Sequence, residues 1–144
     1  MTRPEIATLV PQQGAMCLLE EIVRFDERSI ECRTSSHLSP ANPLRCDGRL
    51  PACTAIEYGA QAMAVHGALR TAPSPQVQAG LLAGARALKL NARFLDDEPG
   101  PLTVRAERLV EEGGRLLYAF TVEGAGRELA TGRIAVVLRP GTVR

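Results

Sequence analysis

Pro51-Ala52-Cys53-Thr54-Ala55-Ile56-Glu57-Tyr58-Gly59-Ala60-Gln61-Ala62-Met63-Ala64-Val65 is small or apolar on nearly every side and carries a single charge, Glu57. A helix lying on a protein surface shows a charged face, so a helix without one is enclosed by other structure. Pro51 suits the first helical position, because its missing N–H would have no partner there anyway. The stretch therefore predicts a buried helix over Pro51–Leu69. Its many Ala and Gly residues would let a sheet approach the helix backbone closely.

Breaks stand on both sides of this helix. Ser39-Pro40-Ala41-Asn42-Pro43 and Asp47-Gly48 precede it, and Thr71-Ala72-Pro73-Ser74-Pro75 follows. Asp96-Asp97-Glu98-Pro99-Gly100-Pro101 and Glu111-Glu112-Gly113-Gly114 mark two later turns. Beyond residue 100 the apolar pattern changes to period two, predicting strands over Leu102–Val110, Leu116–Val122 and Glu128–Leu138. Gly113-Gly114 and Gly124-Ala125-Gly126 fall where hairpin turns are needed. Ahead of the helix, Cys17–Phe25 and Ser29–Ser35 flank Asp26-Glu27-Arg28 as another hairpin.

Gly80–Phe94 pulls two ways. Its Ala, Leu, Arg and Lys favour helix by propensity, yet Arg86–Phe94 divides partly into alternating faces. It is read as a strand, which gives the order strands, one enclosed helix, four strands. That order defines an α+β architecture with a sheet wrapped on a helix. No internal repeat or linker interrupts it, so a single domain spanning 1–144 is expected.

Composition narrows the function. The chain has 144 residues, 45% hydrophobic and 23% charged, with net charge +1. That length can bury a sizeable core, and that balance offers no field for nucleic acid or a membrane surface. Phe25, Phe94, Phe120, Tyr58 and Tyr118 are the only aromatics, too few for a base-stacking platform. No apolar run reaches the length of a membrane-spanning helix, and Met1–Val10 lacks a signal-peptide pattern; the expected compartment is the cytoplasm. Cys17, Cys32, Cys46 and Cys53 form no CxxC pair, so reduced thiols in or near a core are expected rather than a zinc site.

Several short motifs, taken in order, resemble one family. Leu50-Pro51-Ala52 followed by Glu57-Tyr58-Gly59-Ala60-Gln61-Ala62 is similar to the central helix of the 3-hydroxyacyl-ACP dehydratases of hotdog fold. Leu82-Ala83-Gly84, Ala92-Arg93-Phe94, Pro99-Gly100-Pro101-Leu102 and Val122-Glu123-Gly124 resemble the later part, and Pro11-Gln12-Gln13-Gly14-Ala15-Met16-Cys17-Leu18-Leu19 its start. The resemblance covers about residues 10 to 138 and is nearest in kind to the dehydratase-like proteins of aryl polyene pathways. It implies a hotdog fold and a homodimer with sheets joined edge to edge. It further implies a site at the dimer interface for the acyl thioester of an acyl carrier protein or CoA. No metal or organic cofactor is implied. The family's catalytic His, fourteen residues before the helix Glu, falls here on Pro43, and its early Pro-His has become Pro11-Gln12.

Glu57 is the candidate acid/base, since dehydration needs a proton removed beside the thioester carbonyl and another given to the departing hydroxyl. Ionising a carboxylate on an apolar helix is costly, which suits a group that holds and delivers a proton; the plainer alternative is a hydrogen bond to Gln61 or an ion pair with an Arg. Gln61, one turn on, lies on the same face, either as a positioner of the carboxylate or as a helix-to-loop strut. The Ala52 and Cys53 amides at the helix start are candidate donors to a thioester carbonyl. Cys53 also has the weaker option of a nucleophile. His37 precedes the Pro40–Pro43 loop and is the candidate for a displaced base, whereas His66 is out of phase with Glu57 and reads as structural. Arg45, Arg49 and Arg70 flank the helix ends, where a basic rim would help an acidic carrier protein dock; scattered solvated Arg is the alternative. Two rival functions stand beside dehydration: a hotdog thioesterase in which Glu57 activates water or attacks the carbonyl, and a non-catalytic subunit that binds acyl-ACP or completes a heterodimer with a His-bearing partner.

Overall fold

The computed structural model describes Ile6, residues 14–71 and residues 80–138. Six strands and one long helix make up its body. They are β1 (Glu21–Phe25), β2 (Ser29–Thr34), α1 (Ala55–Thr71), β3 (Gly80–Leu90), β4 (Leu102–Glu112), β5 (Arg115–Gly124) and β6 (Arg127–Leu138). The strands form one sheet in the order β1-β2-β4-β5-β6-β3, every pair antiparallel.

Alternation explains which face closes on the helix. Leu102, Val104 and Ala106 of β4 point inward, as do Tyr118, Phe120 and Val122 of β5 and Ile30 and Cys32 of β2, all nearly free of solvent. They meet Ala55, Tyr58, Ala62 and Val65, which recur at the three-to-four-residue spacing of one helix face. Each large apolar side chain sealed this way contributes about 1.5–3 kcal/mol. From Ala55 to Leu69 no helix residue is fully exposed, so the enclosed helix read from the sequence is the helix found.

The helix start differs from the expectation. Pro51 is extended (φ −60, ψ 145) and bridges Phe94 in strand fashion, and a 3-10 turn over Ala52–Thr54 precedes the α-helix. Two bonds impose this: the Ala52 N–H donates to the Arg93 carbonyl at 3.0 Å, and the Leu95 N–H donates to the Leu50 carbonyl at 2.8 Å. The chain is thus stitched to a neighbouring segment before it coils.

β3 is a strand, and it lies at the sheet edge. Ala87 sits at φ 54 and the pairing with β6 slips between Arg86 and Lys89, which marks a bulge. The bulge accounts for the broken alternation there, and the charged Arg86 and Lys89 flanking it suit an edge. Gly113 and Gly114, at φ 56 and φ 80, close the β4–β5 hairpin as a turn that needs two left-handed residues.

Candidate active site

Glu57 lies in the first turn of α1, half-buried. Its Oε1 accepts a hydrogen bond from Gln61 Nε2 at 3.2 Å. Gln61 is itself buried, and its orientation is fixed from outside the helix. Its Oε1 accepts the Leu18 N–H at 2.9 Å, while Nε2 also donates to the Met16 carbonyl at 2.6 Å. A carbonyl oxygen cannot donate, so the amide has one possible setting, with an N–H left for Glu57. Gln61 therefore bonds the Met16–Leu18 segment and the Glu57 carboxylate at once.

The segment before α1 is built on a second network. Tyr58, next to Glu57 but turned inward, places its hydroxyl 2.9 Å from Ser36 Oγ and accepts from Asn42 Nδ2 at 3.1 Å. Burial raises the Tyr58 pKa, and the Ser36 and Asn42 hydrogen bonds offset only part of that. Asn42 also donates to the Ser36 carbonyl at 3.0 Å and accepts the Leu44 N–H at 2.9 Å. One amide thus closes the loop on itself and ties it to the helix. Over this loop lies a cleft of about 590 Å³ lined by Glu20, Ser35, Ser36, Leu38, Ala41 and Asn42 among others.

At the helix mouth, Asp97 and above all Asp96 hold the chain together. Asp96 Oδ1 accepts the Leu50 N–H at 3.0 Å, and Oδ2 accepts from Arg49 Nε at 3.0 Å and Arg45 at 3.4 Å. Burial alone would raise the Asp96 pKa, but the Leu50 N–H and the Arg49 guanidinium hold it below its usual value. Arg49 further pairs with Asp97 and stacks 4.0 Å over the Phe94 ring.

Other expected site residues stand differently from their sequence reading. The Ala52 amide is spent on the Arg93 carbonyl, so it has no hydrogen to give a thioester. Among the described residues the Cys53 N–H has no acceptor, and Cys53 is exposed. Arg45 is turned inward: it donates to the carbonyls of Ser39 (2.8 Å), Gly48 (2.8 Å) and His37 (3.0 Å) as well as to Asp96. It is a loop staple, not a solvent-facing rim charge. Arg49 is half-exposed but paired with Asp96 and Asp97, and the Arg70 side chain lies outside the described residues.

His37 is fully buried in the short turn Ser36–Leu38. Its Nε2 donates to the Glu98 carbonyl at 2.9 Å, and Nδ1 has no hydrogen-bond partner among the described residues. Burial lowers its pKa against the opposing pull of the Glu98 and Gly100 carbonyls. A folded-state value below the ordinary 6.5 means the unfolded chain takes the proton first as pH falls. The associated stability is full above that pH and is lost as pH drops toward the folded value. Denaturant titrations of wild type and His37→Gln between about pH 7.5 and about pH 5 should show a smaller loss in the variant. Equal losses would contradict the burial of a neutral imidazole.

His66 is sealed in the core and satisfied on both nitrogens. Nε2 faces the Asp26 carbonyl at 2.8 Å, which obliges it to donate, and Nδ1 meets the Tyr118 hydroxyl. It pins the β1–β2 turn to α1. Cys32 is similarly inert, its pKa pushed up to about 12 by burial and by the charge of Glu31. Sequence reading missed Leu18, Asn42 and Asp96. Only Asp96 left a trace, in the acidic turn Asp96-Asp97-Glu98.

An antiparallel sheet curled on one central helix, with a carboxylate in the helix's first turn, defines a hotdog domain of the kind whose members include dehydratases and thioesterases. The chain belongs to the ApeP-like dehydratase family, whose model matches residues 4–143. Among solved structures it is similar to the dehydratase heterocomplex ApeI:P from Xenorhabdus doucetiae, with TM-score 0.81, 22% identity, and 95% of this chain and 92% of that one covered. It is similar too to a thioesterase from Haemophilus influenzae, with TM-score 0.71, 13% identity, and 100% and 94% covered. A mutant thioesterase from Pseudomonas aeruginosa gives TM-score 0.68 at 13% identity, covering 97% and 95%. These likenesses show the fold. No curated protein sequence matches the chain, and among the described residues no helix is long and apolar enough to cross a membrane.

Proposed function

We propose that this chain is a dehydratase subunit acting on 3-hydroxyacyl thioesters of an acyl carrier protein or CoA, with Glu57 as its acid/base. The observation that carries this reading is the Gln61 amide, locked by Met16 and Leu18 so that one N–H faces the Glu57 carboxylate. Family membership supports dehydration over hydrolysis. In the proposed step the carboxylate takes a proton from C2, the C2–H electron pair becomes the C2–C3 double bond, and the C3–O bond breaks. The departing hydroxyl leaves as water with the proton that Glu57 took, given directly or through a second acid/base group that Glu57 reprotonates, so Glu57 ends again as carboxylate. The Cys53 amide is the remaining candidate to hold the thioester carbonyl, since the Ala52 amide is occupied.

A second subunit fits this reading. By the resemblance read from the sequence, the family's His would fall on Pro43; His37 is buried with its Nε2 committed to the Glu98 carbonyl, so its use as a base requires that bond to break. A second hotdog chain, joined at the open β3 edge, would supply the missing group. That the similar ApeI:P assembly is a dehydratase heterocomplex supports such a partner over a homodimer. Arg49 and Arg70 remain the candidate contacts for an acidic carrier, Arg45 being used internally. The cytoplasm remains the proposed compartment.

Mass spectrometry of 3-hydroxyacyl thioesters incubated with the chain alone, and with an intact His-bearing hotdog dehydratase added, tests the proposal. Enoyl thioester with the thioester bond intact is the expected product. Free acid and free thiol would indicate a thioesterase. No conversion in either mixture across a range of acyl groups would leave a binding subunit and overturn the catalytic reading.

A further inference from the structure

We infer that Thr34 is a positioning residue for the Glu57 carboxylate, acting through the Leu18 peptide and Gln61; the inference rests on the acid/base role proposed for Glu57. Thr34 ends β2 and is 1% exposed. Its Oγ1 lies 2.5 Å from the Leu18 carbonyl oxygen, which can only accept, so the hydroxyl proton goes there. Thr34 Oγ1 in turn accepts the Ser36 N–H at 3.0 Å and lies 3.0 Å from Ser36 Oγ.

Leu18 is thereby gripped on both sides. Its carbonyl is held by Thr34 from the sheet, and its N–H is held by Gln61 from the helix. Leu18 is fully buried, so water cannot replace either bond, and each group must find its partner in the protein. Gln61 spends both ends of its amide on this segment, taking Leu18 N–H and giving to the Met16 carbonyl. Wherever Met16–Leu18 moves, the Gln61 amide follows, and the N–H presented to Glu57 Oε1 moves with it. A sheet hydroxyl thus sets the direction of a helix amide. Near a reacting carboxylate, displacements well under the length of a bond lower the rate more than they lower affinity.

Thr34→Val keeps the shape and removes the proton donor, whereas Thr34→Ser keeps the donor. Dehydration of a 3-hydroxyacyl thioester, measured with the assembled enzyme, should lose about five- to tenfold in kcat for Thr34→Val with KM changed less than about twofold. Thr34→Ser should stay within about threefold of wild type. In Gln61→Leu, adding Thr34→Val should cost little more, because the route to Glu57 is already cut. A wild-type kcat in Thr34→Val, an equal loss in Thr34→Ser, or a loss confined to KM would overturn the inference. Glu57→Gln measured alongside separates the two readings. An inactive Glu57→Gln beside an unimpaired Thr34→Val removes Thr34 alone, while a fully active Glu57→Gln removes the acid/base role itself. Should Thr34→Val not fold, NMR of the wild type still decides: the Thr34 hydroxyl proton should exchange slowly, and exchange at the solvent rate overturns the bond to Leu18.

Discussion

Glu57→Gln should lower dehydratase turnover by about 10²–10⁴-fold, the span that a positioned acid or base contributes. The substitution is nearly isosteric. Its carbonyl oxygen still accepts the Gln61 N–H that Glu57 Oε1 receives at 3.2 Å, so the helix turn and the Met16–Leu18 segment keep their contacts. What disappears is the ability to gain and lose a proton. The expected signature is therefore chemical and not structural: a thermal midpoint within about 2 °C of wild type, with KM close to wild type and kcat collapsed. Steady-state kinetics with mass-spectrometric detection of the enoyl product, beside calorimetry of both proteins, reads both quantities. Equal turnover would take Glu57 out of the mechanism. A large fall in melting temperature would mean the carboxylate is chiefly structural.

How far the sequence speaks depends on whether a feature leaves a side-chain pattern. The helix did, because only an enclosed helix has no need of a charged face, and residues 55 to 69 are all at least half-buried. The Glu57–Gln61 pair did as well, since four residues make one turn. β3 was harder: its composition favours helix, and the bulge at Ala87 breaks the alternation that would have argued against it. Tertiary pairing with β6 overrode propensity there. The scaffold around the carboxylate left almost no signature. Gln61 finds its acceptors and donors on backbone groups 43 to 45 positions earlier, and every residue has a backbone. Arg45 and Arg49 look like surface charges by type, yet they meet Asp96 across 51 and 47 positions of sequence. Only the fold brings such groups together, and it also assigned the Ala52 amide to Arg93, a use that no helix-start rule foretells.

Gly59→Ala should destabilise the domain by about 1–3 kcal/mol although alanine is the better helix former. A Cβ on Gly59 would sit 2.5 Å from Phe120 Cγ, 2.8 Å from Cδ2 and 2.9 Å from Cβ. These are the root of the side chain, which moves only if β5 itself moves. Nor can the far end of the ring swing aside, because it lies against Gly132, where an added Cβ would stand 2.8 Å from Cε1 and 3.0 Å from Cζ. The ring is held between a glycine on the helix and a glycine on β6, and the close approach of α1 to the sheet depends on both. Helix propensity favours the alanine by about 1 kcal/mol, and the steric conflict is the larger effect, so stability should fall by roughly 3–10 °C in melting temperature. Phe120→Leu frees part of the space, so the double substitution should lose less than the two single losses added together. Gly59 is two residues past Glu57, and lifting the helix here would tilt the carboxylate relative to Met16–Leu18. Activity should then fall by more than the unfolded fraction alone explains. A higher melting temperature in Gly59→Ala would show that the sheet can yield, and the helix would then owe its depth to something other than these two glycines.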